Sequence, residues 1–225
     1  MYLLYSFKFS EFHKKIIIYL FTMIKNAKLP LIIALFIIIY TNISMALEEP
    51  KYQILKSNSN YEIREYNDRL AVEVTYSNQD SGFRYLFNYI SGENTTSEKV
   101  SMTVPVTQSV KIDMTAPVNQ LKKDGKMVMQ FYLPSKFTIN TAPKPTNRKV
   151  SLVVLEGDIY AVIKYSGRAT DRNFQKHYKE LKEYLIKDNI NFLEPAIKAT
   201  FNGPFTLPIL RRNEVMMKIN YNGSS

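Results

Sequence analysis

The residue types that most often carry catalysis or bind metals are scarce in this sequence. It has no cysteine and two histidines, of which only His177 lies beyond residue 46. His177 follows Phe174 by three positions and precedes Leu181 by four, and this spacing predicts a place at the margin of the apolar face of a helix. A single histidine in that position is typical of a boundary residue, so we expect no metal site around it.

The carboxylates offer no clear acid–base pair. Glu62 and Glu65 lie three positions apart on a predicted strand, so their side chains point to opposite faces of the sheet. The sequence contains no glycine-rich phosphate loop and no G-x-S-x-G nucleophile motif. These observations predict a protein that is not an enzyme. The lack of cysteine also excludes disulfides and thiolate ligands.

The basic charge does not indicate a nucleic-acid partner. Lysine and arginine outnumber aspartate and glutamate by 30 to 20, a formal net charge of +10. The helix predicted after residue 170 carries several lysines, but Glu180 and Glu183 stand between them. Mixed charge of this kind is typical of a solvated helix face and not of a surface that follows a phosphate backbone.

Residues 1–46 have the composition of a secretory signal peptide. Lys25 and Lys28 precede an apolar run from Leu29 to Tyr40, and small or polar residues follow as far as Ala46. The apolar run is shorter than the roughly 20 residues of a comfortable membrane span.

We therefore predict cleavage after Ala46 and an exported protein, either periplasmic or secreted. Met23 stands directly before the signal-like unit, which indicates that translation starts there. The alternative is an uncleaved N-terminal anchor, which would associate the folded domain, residues 47–225, with a membrane.

Two stretches of the sequence resemble each other, one from Leu70 to Asn94 and the other from Ile159 to Asn189. Each begins with alternating apolar residues, which predict a strand, and continues through Tyr-Ser and a short polar loop into an amphipathic helix. Thr170 or Asp171 would cap the second helix, and Gly92 would end the first. A strand–helix unit that occurs twice predicts one domain with a pseudo-twofold axis.

The pattern Met-Thr-x-Pro-Val also occurs twice, at Met102–Val106 and at Met114–Val118. The apolar alternation from Val100 to Val106 and from Val110 to Val118 predicts two strands, each ended by a proline, because proline cannot donate a hydrogen bond to a sheet. Asp124-Gly125 predicts the hairpin turn that follows.

The last strand is predicted from Val215 to Ile219, where apolar residues alternate again. Arg211, Arg212 and Glu214 come just before it. We expect them to form a surface ion pair, which contributes at most about 1 kcal/mol to stability.

Four stretches, taken in order, are recognisable: YEIREY at Tyr61–Tyr66, GFRYLFNYISGEN at Gly82–Asn94, KIDMTAPV at Lys111–Val118 and FNGPFTLPILRRNEV at Phe201–Val215. Together they resemble the SOUL haem-binding protein family over nearly all of residues 47–225. The resemblance implies an α+β fold, a distorted antiparallel β-barrel of two pseudo-symmetric halves with two flanking helices. It also implies noncovalent, reversible binding of haem or a related tetrapyrrole.

The resemblance places the ligand along the first helix and nearby loops, without a required histidine. Carried over by position, the candidate contacts are Phe83, Arg84, Phe87 and Ile90, with Phe205 and Leu207 as neighbours from a late loop. Arg84 would meet a propionate through a charge-assisted hydrogen bond. The apolar residues of the helix would equally serve as its core face.

The resemblance therefore favours an exported haem carrier or buffer with a haem or porphyrin ligand as its partner. A second hypothesis is a protein-interaction module that keeps the fold without physiological haem binding. A third is a small-molecule hydrolase, for which the sequence offers no positive sign.

Overall fold

The computed structural model describes residues 47–77, 82–95 and 109–221, together with the isolated positions 15, 18 and 22. The chain divides into two units, Met1–Ala46 and Leu47–Ser225. The predicted signal peptide or anchor and the first Met-Thr-x-Pro-Val copy lie outside the described residues. Within those residues, no helix is both long and apolar enough to cross a membrane.

The strands and helices of the second unit follow one another from Tyr52 to Ile219. The strands are β1 Tyr52–Ser57, β2 Glu62–Tyr66, β3 Arg69–Tyr76, β4 Asn94–Thr95, β5 Val118–Lys123, β6 Lys126–Tyr132, β7 Lys144–Pro145, β8 Val150–Leu155, β9 Asp158–Tyr165, β10 Phe192–Thr200 and β11 Asn213–Ile219. The α-helices are α1 Gly82–Ser91 and α2 Asp171–Lys187, and one turn of 3-10 helix spans Pro208–Leu210.

Nine of these strands form one antiparallel sheet in the order β1-β2-β9-β11-β10-β5-β6-β3-β8, and β4 pairs with β7 apart from it. The sheet curls into a half-barrel, and with the two helices it confirms the predicted α+β class. The strand β9, which precedes α2, pairs with β2, and the strand β3, which precedes α1, pairs with the edge strand β8. The internal duplication and the pseudo-symmetry of the two halves stay predictions.

Helix α1 covers a first core over β3, β6 and β8. Its buried side chains include Leu86 and Ile90, which belong to one cluster with Val72 and Phe131. Gly92 ends the helix as predicted, because its φ of +123° is open to glycine and strained for other residues.

Helix α2 covers a second core over β9, β10 and β11. The Thr170 hydroxyl accepts the N–H of Asn173 at 3.3 Å, so the predicted N-cap is confirmed. Leu181 and Leu185 are fully buried in a cluster with Met217. Each helix thus seals the apolar side of a different part of the sheet.

The other side of the curled sheet, called the inner face below, is also buried over much of its length. Side chains alternate along the strands, so Ile63 lies in the second core while its neighbour Arg64 lies on the inner face. A third cluster there contains Tyr66, Val162 and Met216.

The strand predicted to run from Val110 to Val118 does not form, and only its last residue belongs to β5. The backbone groups of Val110 bond to the Asn94 side chain at 2.8 and 2.9 Å, and the N–H of Ile112 donates to the carbonyl of Ile90 at 2.8 Å. Because these groups are already satisfied, the first part of the segment does not pair with a neighbouring strand, and further along Thr115 makes only an isolated bridge to Glu48. The predicted turn at Asp124-Gly125 does join β5 to β6, with φ values of 49° and 76°.

Candidate functional site

Two phenylalanines of α1 form an exposed aromatic surface. Phe83 and Phe87 are 40% and 45% exposed, and their rings stack with centroids 5.8 Å apart and planes 15° from parallel. Residues four apart lie on the same side of a helix, which explains the stacking. The edge of Phe83 also meets the buried ring of Phe131 at 5.3 Å, so the pair is anchored to the first core. We call Phe83 and Phe87 the aromatic pair.

The close packing of α1 on β3 orients this pair. A Cβ at Gly82 would lie 2.7 Å from the ring of Tyr76, so only glycine allows this approach without movement of that ring. The Tyr89 hydroxyl donates to the carbonyl of Pro143 at 2.7 Å and fixes the opposite flank of the helix. These two contacts fix the orientation of α1 about its own axis, and in this orientation the aromatic pair faces outward.

Arg84 supplies a positive charge beside the aromatic pair. Its side chain is exposed, and within the described residues its guanidinium makes no ion pair, only a long approach of 5.8 Å to the Tyr85 ring. The ammonium of Lys149 donates to the hydroxyl of the same Tyr85 at 3.0 Å. The outer surface of α1 thus combines apolar rings with cationic groups.

Ile90 lies elsewhere than the aromatic pair. It is only 5% exposed and packs in the first core, so in this structure its side chain supports the helix and does not line the surface.

Phe205 and Leu207 lie in the loop between β10 and β11 and are 100% and 63% exposed. The loop is tied to the segment before α2, because the N–H of Gly167 donates to the carbonyl of Pro208 at 2.9 Å. Among the described residues, no hydrogen bond, ion pair or ring contact joins the loop to α1. The grouping of these two residues with the α1 residues stays a prediction.

His177 occupies the boundary position expected from its spacing. Its ring stacks on Tyr165 with centroids 4.3 Å apart, and its Nδ1 lies 2.7 Å from a carboxylate oxygen of Glu180. In the described part of the chain, no group of three or more histidine, aspartate or glutamate side chains is placed to hold a metal ion.

The inner face holds a buried ion pair that sequence reasoning missed. Arg64 and Glu214 are both fully buried and are joined by hydrogen bonds of 2.9 and 3.2 Å. Arg212 also contacts Glu214 at 3.0 Å, and Glu62 contacts Arg64 at 2.7 Å. Arg212 and Glu214 do pair as predicted, but Glu214 lies in the interior and not at the surface.

Tyrosines surround this ion pair. The Tyr66 hydroxyl accepts from Arg64 at 3.1 Å, and the Arg64 guanidinium lies 4.3 Å from the centre of the Tyr52 ring. Burial by itself would lower the pKa of Arg64, but its hydrogen bonds and attraction to Glu214 outweigh this effect and raise that pKa. Burial also raises the pKa of Tyr66 to about 12. The charged groups of this network pair with one another, so we interpret the network as a structural element of the fold.

The sequence shows where the charges of this network lie on their strands, but not that they are buried. In YEIREY the charged Arg64 follows the apolar Ile63, and in RRNEV the apolar Val215 follows the charged Glu214. Charged residues at alternate positions of strands are typical of a solvated face. Only the curl of the sheet, which encloses that face, makes them buried partners.

The model of the SOUL heme-binding protein family matches residues 47–218, which is most of the chain and nearly all of its folded unit. The chain belongs to the SOUL heme-binding protein family. Human Heme-binding protein 2 is 27% identical over 164 residues, which cover 70% of this chain and 77% of that protein.

Solved structures with similar backbones are distant in sequence. The EcmrR C-terminal domain superposes with a TM-score of 0.49 at 10% identity, over 75% of this chain and 98% of that domain. A hydrolase from Listeria innocua gives a TM-score of 0.46 at 9% identity, over 80% of this chain and 96% of its own. Likeness at this level carries no argument about activity.

Proposed function

We propose that residues 47–225 bind haem or a related tetrapyrrole noncovalently on the outer surface of α1. The observation that carries this proposal is the aromatic pair, Phe83 and Phe87, stacked and partly exposed beside Arg84, whose guanidinium makes no ion pair within the described residues. Although Phe83 also packs on Phe131, 40% of Phe83 and 45% of Phe87 stay exposed, and this exposed part of the two rings adds nothing to the core. Membership of the SOUL family supports the same ligand.

The residues present fit the chemistry of a tetrapyrrole. A porphyrin is a flat apolar plate with two propionates, and it requires an apolar wall together with a cation. The aromatic pair would provide the wall and Arg84 the cation. Haem, when bound, would add an iron centre to this surface. His177 is engaged by Glu180 and Tyr165, so the wall and the cation, and not this histidine, would hold the ligand.

We propose further that the protein is not an enzyme and acts as a carrier or buffer outside the cytoplasm. Support for a binding role is that the carboxylates of Glu62 and Glu214 are ion-paired, so neither is free to act as a base. Support for export is the signal-like order of residues 1–46.

The test is an absorbance titration of residues 47–225 with haemin, followed at the Soret band. This segment contains the nine-stranded sheet and both helix-covered cores, so we expect it to fold by itself. We expect a saturable shift, with the affinity for haemin weakened roughly tenfold or more by Phe87→Ala and by Arg84→Glu. Charge-assisted contacts and buried aromatic area of this size each correspond to about 1.5–3 kcal/mol.

Matched controls lie on the outer side of α2. Lys179→Glu makes the same change of charge at an exposed position, and Ile186→Ala removes an apolar side chain that is 61% exposed. Neither control should alter haemin affinity. An absence of any Soret shift, or equal affinity in all five proteins, would instead favour the protein-interaction module.

A further inference from the structure

We infer that the loop from Phe201 to Arg212 is a membrane-docking surface that inserts its apolar side chains into an anionic bilayer. Four large apolar residues project from this loop, and we call them the apolar tip. Their exposed fractions are 100%, 63%, 79% and 69% for Phe205, Leu207, Ile209 and Leu210. So many exposed apolar side chains in six consecutive residues mark a site of interaction.

The exposure of the tip does not come from a loose loop. The Arg211 guanidinium donates to the carbonyl of Thr206 at 2.7 Å and to that of Pro204 at 2.6 Å. The carbonyl of Pro208 accepts from Gly167 at 2.9 Å, which ties the tip to the end of β9. These bonds hold the loop backbone in place with the apolar side chains exposed, so docking does not have to order that backbone.

The charges beside the tip complement an anionic surface. Arg168 and Arg172 are exposed, and within the described residues neither side chain has an ion-pair or hydrogen-bond partner. They flank Thr170, the N-cap of the 17-residue α2, whose helix dipole adds positive potential at the same place. The nearby Asp171 carboxylate is paired with Lys198 at 2.8 Å.

A second acidic group near the loop is also paired. Glu49 contacts Arg212 at 3.0 Å, so the unpaired charges beside the tip are positive among the described residues. A projecting apolar tip with cations around its base matches a bilayer, in which acyl chains lie beneath anionic headgroups. The proposal does not depend on haem binding, and it assigns Phe205 and Leu207 a role other than contact with the ligand.

The first test is sedimentation of residues 47–225 with lipid vesicles, because the apolar run within residues 1–46 would bind lipid by itself. Vesicles of phosphatidylcholine with phosphatidylglycerol should bind the protein, and vesicles of phosphatidylcholine alone should bind it weakly. The double variant F205S/I209S should lower partitioning by roughly tenfold for each side chain that no longer inserts. The variant R168E/R172E should lose binding to the anionic vesicles only.

The controls use residues away from the loop. Ile139→Ser replaces an apolar side chain that is 49% exposed, and Lys179→Glu reverses an exposed charge on α2; both should bind as the wild type does. A second tip variant, I209S/L210S, keeps the candidate haem contacts Phe205 and Leu207, and its vesicle binding and haemin titration are measured in parallel. The proposal is supported if the variant loses vesicle binding and has the same haemin affinity as the wild type, at whatever value that affinity lies.

A second measurement reports insertion directly. The chain contains no tryptophan, so Phe205→Trp introduces a single reporter. Its emission should shift to the blue with anionic vesicles and be quenched by brominated acyl chains. The proposal is overturned if the emission does not move, if F205S/I209S sediments like the wild type, or if the tip proves to join two copies of the chain in solution.

Discussion

The buried ion pair between Arg64 and Glu214 predicts an unusually large loss of stability from a single substitution. In Arg64→Met the apolar stem is kept and the guanidinium is removed, which leaves the Glu214 carboxylate fully buried. Its remaining cation is Arg212 at 3.0 Å. A buried charge that has lost its principal partner is costly, because water cannot replace the missing hydrogen bonds.

The size of the effect follows from this geometry. Removal of one partner of a buried pair costs about 3–5 kcal/mol, and the contact with Arg212 places the expected loss for Arg64→Met near 3 kcal/mol. For a domain of this length, that loss lowers Tm by roughly 6–12 °C. Arg64→Met combined with Glu214→Met should cost less than the sum of the two single variants, since the double variant leaves neither partner charged.

Urea denaturation followed by far-ultraviolet circular dichroism measures these changes. Lys164→Met is the matched control: it removes a cation that contacts Glu62 at 2.8 Å in the same network, but whose side chain is 46% exposed. An exposed pair of this kind contributes about 1 kcal/mol or less. The reasoning is refuted if Arg64→Met and Lys164→Met destabilise the protein equally, or if the double variant is as unstable as the sum of the single ones.

Two further predictions concern pH and a turn. Burial raises the pKa of Tyr66 and of Tyr165 to about 12, against about 10 in an unfolded chain, so the stability that each neutral hydroxyl supports is complete below pH 10. We expect the free energy of unfolding to fall between pH 10 and 12, by about 1.4 kcal/mol per pH unit for each group, and a flat profile over this range would contradict the burial. Gly157→Ala should lower Tm markedly, because its new Cβ would lie 2.6 Å from the carbonyl oxygen of Tyr66. Gly203→Ala, where nothing lies within 4 Å, should leave Tm unchanged, and equal effects in scanning calorimetry would disprove the steric argument.

Much of the architecture was predictable because it rests on local periodicity. The strands β3 and β9, the helices that follow them, the Thr170 cap and the Asp124-Gly125 turn depend on residues close together in sequence. The strand predicted from Val110 failed for a nonlocal reason. Its backbone groups are taken by Asn94 and by the end of α1, and apolar alternation alone does not reveal such partners.

The sequence by itself determined the family, the absence of cysteine chemistry and the aromatic residues of α1. Tertiary structure decided which of those residues face outward. Phe83, Phe87 and Ile90 are equally apolar, yet only the packing of α1 on its sheet exposes the first two and buries the third. It also decided that Arg64 and Glu214, which are 150 positions apart, form a buried ion pair. Their pairing needs the curl of the whole sheet, because burial is a property of the enclosing surface and not of a strand's own residues.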